Sequence, residues 1–423
     1  MARVVCWNIL APELSNPKTF PQNQPEDCMG ENRFPLILQT LEKDVLSGSI
    51  ICLQEVSITW VGKIHAFFAQ HNYHYINTLY GSKFSGYMGV GLAFPRSNFR
   101  LVGCEITRIA DNKPWPRPQW KPPQESTPAP PTSTLISDVR SYISGYLRNV
   151  LDPLFVTGRR LSALLTTAEK KRGKEEKESS APQAREDEDE GPPLGKRVAE
   201  TAMKRYNQAI LVRLSPRGDS DDDDDAAAPD LCVATYHIPC TVNLKPVMTV
   251  HAALLLQKAQ KFANGDPLVV CGDFNSLPGS GAYQLVTTGK IEEGHPDACP
   301  PLPYGDAWDC KDNLKPMASA YATAYGEEPK LTNKSVRKFE WPGSELNAFS
   351  GTLDYLFYTP DTLEVSDALP VPDAHQQLDF SDEVKSFPTA TLPSDHVKIA
   401  ATFQMKKRVR GETKDGGNKR QRT

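Results

Sequence analysis

No stretch of this sequence approaches the roughly 18 to 20 consecutive apolar residues that a bilayer-spanning helix needs, so no membrane span is expected. No two of its nine cysteines stand in C-x-x-C spacing, which removes the common zinc-ribbon and dithiol patterns. Net charge is small: 48 basic against 52 acidic side chains leave −4. The whole molecule is therefore not an electrostatic trap for nucleic acid, and any basic contact surface must be local. There is no glycine-rich phosphate loop, no G-x-S-x-G and no H-E-x-x-H, which sets aside the chemistry those patterns carry.

What is present fits a globular protein of one large or two ordinary domains, with 39% hydrophobic and 24% charged residues in 423. Cys6, Cys52, Cys232 and Cys271 sit inside apolar, strand-like runs and read as reduced core residues of a reducing compartment. An intracellular location, cytoplasm or nucleus, follows as an expectation. The chain enters a strand almost at once with "RVVCWNIL", so, unless residues precede it, no signal or transit peptide is expected.

Three segments have nonglobular composition. Residues 112–200 form an insertion: a proline-crowded arm (Asn112 to Pro131), a stretch of helical spacing from Leu135, and a charged run (Lys170 to Lys196) with nothing apolar to bury. It is either a partner-docking arm for another protein or tolerated padding. Residues 216–230 form an acidic loop joining the strand-like runs Gln208 to Leu214 and Leu231 to Tyr236, which predicts an antiparallel pair. A flexible row of like charges is not a cation cage, so the loop reads as solvated. The tail, 406–423, is basic and expected to be disordered; its clusters Lys406 to Arg410 and Lys419 to Arg422 suit a nuclear address, an RNA contact or a solubilising tail equally.

Elsewhere strands and helices alternate. Strands are predicted at Val4–Leu10, Ile50–Gln54, Val90–Phe94, Gln208–Leu214, Leu231–Tyr236, Leu268–Cys271, Leu353–Tyr358 and Val397–Phe403, and helices at Phe34–Leu46, Val61–Gln70 and Val247–Ala263. Helices separate only some of the strands, which points to mixed sheets with outer helices.

The chemistry lies where strands end. "LVVCGDFN" runs from an oily strand into Asp273 and Asn275, which alternation along the strand would place on one side. "VVCWNIL" holds Asn8, "IICLQEV" holds Glu55, "CVATYHIP" ends on His237, "GTLDYLFYT" embeds Asp354, and "PSDHVKI" sets Asp395 and His396 before the last strand. A buried polar group left unpaired costs roughly 1 to 3 kcal/mol, so repetition on strand after strand implies that these groups converge on one polar pocket. Glu, Asp and Asn offer hard oxygen ligands, which suit Mg²⁺ or Mn²⁺, and the histidines suit contact with a phosphoryl oxygen or proton transfer.

In this order, "WNIL", "LQEV", "YHIP", "GDFNSLPGS", "GTLDYLFY" and "PSDH" resemble the motifs of the endonuclease/exonuclease/phosphatase superfamily, to which DNase I is similar. The resemblance spans nearly all of residues 3–405 and implies one catalytic domain over 1–405, an α/β fold of four layers: an α/β/β/α sandwich of two mixed, largely antiparallel sheets flanked by helices. It implies that Glu55 is the principal Mg²⁺ ligand with Asn8 beside it and Asp395 near the metal. Asp273 and Asn275 would position the attacking water and the scissile phosphate, His237 would contact the phosphate, and His396 would bind or protonate a phosphoryl oxygen while Asp354 orients it. Asn207 and Asn333 match family positions near the substrate, with Asn347 an alternative to Asn333.

Leu10 stands where abasic-site endonucleases carry an acidic residue, and "TLDYLFY" departs from the Cys-Asp-Arg element of inositol polyphosphate phosphatases. The motifs look most like the deadenylase-like branch of nocturnin, Angel and the carbon-catabolite-repressor deadenylases, whose arginine in "ENRFPLIL" would be Arg33. The leucine-rich repeats that precede some of those domains are missing, so recruitment through them is not expected. The resemblance implies an Mg²⁺-dependent (alternatively Mn²⁺-dependent) phosphodiesterase acting on single-stranded RNA, a 3′-to-5′ exoribonuclease. The alternative is hydrolysis of a small nucleotide such as NADPH or another phosphorylated metabolite, and a third reading is a binding protein without activity.

Overall fold

In the computed structural model, residues 1–82, 85–112, 194–217, 229–298, 314–338, 345–371 and 386–406 are described. The central part of the insertion, most of the acidic loop and the basic tail beyond residue 406 lie outside them. In chain order the strands are β1 (Ala2–Asn8), β2 (Ile50–Ser57), β3 (Tyr73–Asn77), β4 (Tyr80–Ser82), β5 (Ser85–Pro95), β6 (Phe99–Arg108), β7 (Gln208–Pro216) and β8 (Leu231–His237). They continue as β9 (Leu268–Asp273), β10 (Ala318–Ser319), β11 (Asn333–Lys338), β12 (Leu346–Gly351), β13 (Asp354–Tyr358), β14 (Leu363–Ala368) and β15 (Ile399–Met405). The longer helices are α1 (Gly30–Leu46), α2 (Ile58–Gln70), α3 (Leu194–Met203), α4 (Pro246–Ala263) and α5 (Gly281–Thr288).

All eight predicted strands and all three predicted helices form. One sheet runs β14-β15-β1-β2-β5-β3, with β4 paired to β5, and the other runs β10-β13-β9-β8-β7-β6. Each holds a single parallel pair, β1 with β2 and β8 with β9, in otherwise antiparallel company. β7 and β8 pair antiparallel across the acidic loop.

Strand alternation explains the layering. Val4 and Cys6, Ile50 and Cys52, Val233, Val269 and Cys271, and Leu356 face between the sheets and share one core. Their neighbours Val5, Trp7, Ile51 and Leu53 face α1 and α2 on one outer side, and Cys232, Ala234, Leu268 and Val270 face α4 on the other. The order is helix, sheet, sheet, helix. Helix α4 is buried without a break from Pro246 to Leu256 because α3 and α5 pack upon it, so it needs no polar face there.

One buried histidine braces that outer layer. The Tyr236 hydroxyl donates to Nδ1 of His251 at 2.8 Å, and Nε2–H donates to the Ala202 carbonyl at 3.2 Å, which joins β8, α4 and α3. Burial pushes the imidazole pKa down to about 3. Below the ordinary value near 6.5 the unfolded chain takes up a proton that the folded chain refuses, so this residue's contribution to stability declines as pH falls from 6.5 toward 3. The loss should reach about 2 kcal/mol at pH 5. Urea midpoints measured at pH 7 and pH 5 should fall more for the native chain than for His251→Gln, whose side chain does not titrate; equal falls would remove His251 as a source of acid sensitivity.

Candidate active site

The parity that builds the inter-sheet core also builds the site. Continuing past Cys6 brings Asn8; past Val233 and Thr235, His237; past Cys271, Asp273. Asp354 precedes Leu356 on the same face of β13, which runs antiparallel to β9. His237 pairs in register with Asp273, and Asp273 with Asp354, so three adjacent strands set three polar side chains in one row. At that end of the sandwich the core turns from apolar to polar and opens into a cleft of about 920 Å³.

Asp273 is 2% exposed and forms the hub. Its Oδ2 accepts from Asn8 Nδ2 at 3.0 Å and lies 3.5 Å from His237 Nε2 and 3.6 Å from His396 Nε2. Its Oδ1 accepts from the Asn275 backbone N–H at 2.8 Å. Gly272 must precede it: a Cβ there would lie 1.8 Å from the Tyr236 carbonyl oxygen on the neighbouring parallel strand, and its φ is +150°.

The two histidines are aimed differently. His396 Nδ1 meets Asp354 Oδ2 at 2.7 Å, and the same oxygen takes the Thr332 hydroxyl at 2.6 Å. Thr332 Oγ1 also accepts the backbone N–H groups of Leu353 and Asp354. Burial opposes the His396 imidazolium, but Asp354, Asp395 and Asp273 around it prevail and raise its pKa to about 10. On the other side, the Tyr80 hydroxyl lies 2.9 Å from His237 Nδ1. Burial, reinforced by Glu55, pushes Tyr80 well above its ordinary pKa, so it stays a hydroxyl and donates. That leaves the ring hydrogen of His237 on Nε2. Both histidines thus present Nε2–H beside the Asp273 carboxylate.

Glu55 reaches the cleft from a bulge in β2. Gln54 pairs with Val90 and Val56 with Gly89, leaving Glu55 unpaired with φ 57°. Its Oε1 accepts Asn8 Nδ2 and its Oε2 accepts the Ala11 N–H, both at 3.0 Å. Among the described residues no basic side chain lies in ion-pair contact with Glu55. Each of its oxygens keeps a lone pair that faces no basic partner, while Asp273 beside it is already met by His396, His237 and Asn8. This hard-oxygen set fits a divalent cation. A second cluster, Asp273, Asp354 and His396, has ligand atoms within 4.8 Å of one another. In that cluster Asp354 Oδ2 is already engaged by His396 Nδ1 and the Thr332 hydroxyl, so the Glu55 side suits an ion better.

Several expectations need correction. Asn8, expected beside the metal, stands beside Glu55; its Oδ1 accepts the Leu10 N–H and its amide nitrogen bridges the two carboxylates. It holds them at a fixed spacing. Asp395 was expected near the metal, yet it is fully buried and bound to Arg337 and to Asn333 Nδ2. Burial opposes its charge, but Arg337, His396 and Asn333 hold its pKa below the usual range. Arg33 was expected at the substrate. It is 1% exposed, and its guanidinium donates to the carbonyls of Ile9, Leu10 and Pro393 while lying over Trp60. Burial lowers its pKa to about 10, and it ties the loop before Ala11 to the loop before His396. Asn275 lies beyond β9 with φ 50°, so a left-handed turn, not strand alternation, brings it to the cleft.

Asn207 and Asn275 both line the cleft and donate to successive carbonyls, His237 O at 2.8 Å and Ile238 O at 2.7 Å. Asn333 and Asn347 also line it. The sequence pattern missed Tyr80, Thr332, Arg337 and the cleft-lining Lys204, Arg205 and Tyr206. The "KRYN" run before Asn207 carried a basic and aromatic signal for the last three, and Thr332 stood beside Asn333; nothing marked Tyr80.

The family described as endonuclease/exonuclease/phosphatase matches residues 21–396. Carbon catabolite repressor protein 4 homolog 1 of Arabidopsis thaliana is 31% identical over 226 residues, 51% of this chain and 37% of that protein. The CCR4-Not complex 3′-5′-exoribonuclease subunit Ccr4 of Schizosaccharomyces pombe is 30% identical over 201 residues, 42% of this chain and 27% of that protein. The matches thus span less than two-fifths of these relatives' length. Among solved structures, ANGEL2, a 2′,3′-cyclic phosphatase, in complex with adenosine-2′,3′-vanadate has TM-score 0.58 at 19% identity, covering 95% of both chains. The human Nocturnin catalytic domain with bound sulfate has TM-score 0.51 at 17% identity, covering 96% of this chain and 94% of that one. At these identities the two likenesses bear on fold alone.

Arg33 supplies the test of the bracing. Lysine keeps the charge but cannot span three carbonyls, so Arg33→Lys should lower stability by about 3 kcal/mol, since hydrogen bonds to charged groups contribute roughly 1.5 to 3 kcal/mol each. Urea unfolding would show it; a change under 1 kcal/mol would mean the loops hold their places without this residue.

Proposed function

The chain belongs to the endonuclease/exonuclease/phosphatase family, and on that premise we propose that it hydrolyses phosphodiester bonds of RNA, as a 3′-to-5′ exoribonuclease of the deadenylase-like branch, with Mg²⁺ or Mn²⁺ as cofactor. The observation that carries the reading is the placement of one buried carboxylate, Asp273, between two N–H donors, His237 and His396, beside the metal-suited Glu55.

Each role follows from hydrogen-bond capacity. Two Nε2–H groups facing a cleft bind the oxygens of a phosphoryl group, and His396, kept as imidazolium by Asp354, also neutralises charge that develops there. Asp273 holds the attacking water by accepting its hydrogen. Asn207 and Asn275 position the phosphate and sugar with their amide groups while fixing the two peptides that follow β8. Glu55 and Asp273 would hold the cation, which when bound stabilises negative charge on the phosphoryl oxygens and helps activate water. Asn8 keeps the two carboxylates spaced for it. Asp395, buried and paired with the cleft-lining Arg337, would hold the segment that carries His396.

A cleft of this volume is also the size that encloses one small ligand, which keeps hydrolysis of a small nucleotide as the second reading. Incubation with Mg²⁺ and a 5′-labelled adenylate homopolymer should give a ladder shortening from the 3′ end. EDTA should abolish it, and Asp273→Asn, Glu55→Gln and His396→Gln should each slow it at least about a hundredfold. Phosphate release from NADPH with the RNA left intact would select the second reading, and undiminished turnover in Asp273→Asn would reject both.

A further inference from the structure

Within that same reading, we infer that Lys204, Arg205 and Tyr206 form a subsite for the phosphate and base of a second nucleotide, so that the substrate is a nucleotide chain and not a single-phosphate ester. The three residues join α3 to β7 and line the cleft immediately before Asn207. Asn207 donates to the carbonyl of His237, so the subsite is tied to the residue proposed to contact the scissile phosphate. A chain leaving His237 along this wall meets the two cations next.

Three observations distinguish the loop from an ordinary solvated connection. First, its backbone is clamped by a residue outside the cleft. Arg108, at the end of β6, donates from Nε to Arg205 O at 2.8 Å and from its other nitrogens to Met203 O and Asp111, with its guanidinium carbon 4.8 Å from the centre of the Tyr206 ring. Ile109 N–H adds a bond to Asn207 O, and His251 fixes Ala202 in the preceding turn. Second, neither Lys204 nor Arg205 is in ion-pair contact with an acidic side chain among the described residues, although Glu55 and Asp273 line the same cleft. Third, Arg205 Nε is buried with no acceptor among the described residues. A phosphate reaching the solvent-facing parts of Lys204 and Arg205 supplies the missing charge, although it does not reach the buried Nε. Tyr206, 37% exposed and backed by Arg108, offers a fixed aromatic face to a base, the pairing of stacking and backbone charge that single strands use. Arg108 is a positioning residue: it touches no substrate and sets where three contacts stand.

Equilibrium binding in EDTA separates this subsite from turnover. The full-length chain is titrated against a labelled (A)₁₀ RNA and against adenosine 5′-monophosphate at several salt concentrations. The Lys204→Ala/Arg205→Ala variant should weaken decamer binding about tenfold or more and make the slope of log affinity against log salt shallower by about 0.7, the value for one phosphate contact on a single strand. The ratio of decamer to monophosphate affinity should collapse in parallel. Lys204→Glu, at an exposed position, covers the case in which the double variant does not fold, and Tyr206→Ala should weaken the decamer about tenfold. An unchanged decamer affinity and salt slope, an equal loss for both ligands, or no decamer binding by the native chain overturns the subsite. Decamer binding that depends on these residues but proceeds to no cleavage with Mg²⁺ would keep the subsite and remove the exonuclease reading.

Discussion

One oxygen atom organises this molecule. Asp273 Oδ2 accepts from Asn8 and stands within 3.6 Å of two imidazole nitrogens, one from each sheet's side of the cleft. A carboxylate in so buried a place requires donors on several sides, and those donors cannot come from one segment. They arrive from β1, from β8 and from the segment before β15, far apart in sequence but adjacent at one end of the sandwich. The two-sheet architecture is what allows this, because both sheets end their inward-facing rows at the same rim. The need for Gly272 has the same origin, since only a residue without Cβ lets β9 pass so near β8 just before the acid.

Around that atom the backbone is strained and then braced. Of five non-glycine residues with positive φ among the described residues, three belong to the site: Leu10, Glu55 and Asn275. Each such conformation costs of order 1 kcal/mol or more and persists only where its surroundings overdetermine it. The determinants are visible. The β2 bulge and the Ala11 N–H fix Glu55, Asn8 Oδ1 fixes the Leu10 amide, and the Asp273 carboxylate fixes the Asn275 amide. Arg33 locks the first of these loops to the loop of His396. Arg337 and Asn333, at the cleft wall, hold the buried Asp395, and Thr332 holds Asp354. The residues one layer back are thus as specific in their geometry as those facing the cleft.

Much of this was legible in the sequence, and the part that was not has a physical reason. A period of two in apolar residues, broken by Asn, His or Asp at its end, is a local signal, so β1, β8, β9 and β13 and their polar termini could be placed. What local pattern cannot carry is the partner of a buried charge. Asp395 beside His396 looks like a ligand until Arg337, 58 residues earlier, is seen to neutralise it. Arg33 looks like a substrate contact until three carbonyls converge on it. Alternation likewise misjudged Asn275, because a left-handed residue leaves the strand's period. β11 and β12 were missed because they form a separate two-stranded ribbon whose outer strand is largely exposed, leaving no alternation to detect.

The charges of the cleft make a final point about substrate. Glu55 with Asp273 at one wall, and Lys204 with Arg205 at another, would lower their energy by meeting, and among the described residues they do not. Asn8 and Ala11 anchor the acids, and Arg108 and Asn207 anchor the basic loop, so the separation is maintained by rigid hydrogen bonding at both ends. Held this way, neither set satisfies the other: Asp273 takes its donors from Asn8 and the two histidines, while Glu55 and the basic loop keep capacity for groups from solution. A cation satisfies the acids alone, and a monophosphate beside it leaves the basic loop unanswered. A cation together with a chain of phosphates answers both walls at once, which is the electrostatic reason to favour a nucleic acid strand over an isolated ester.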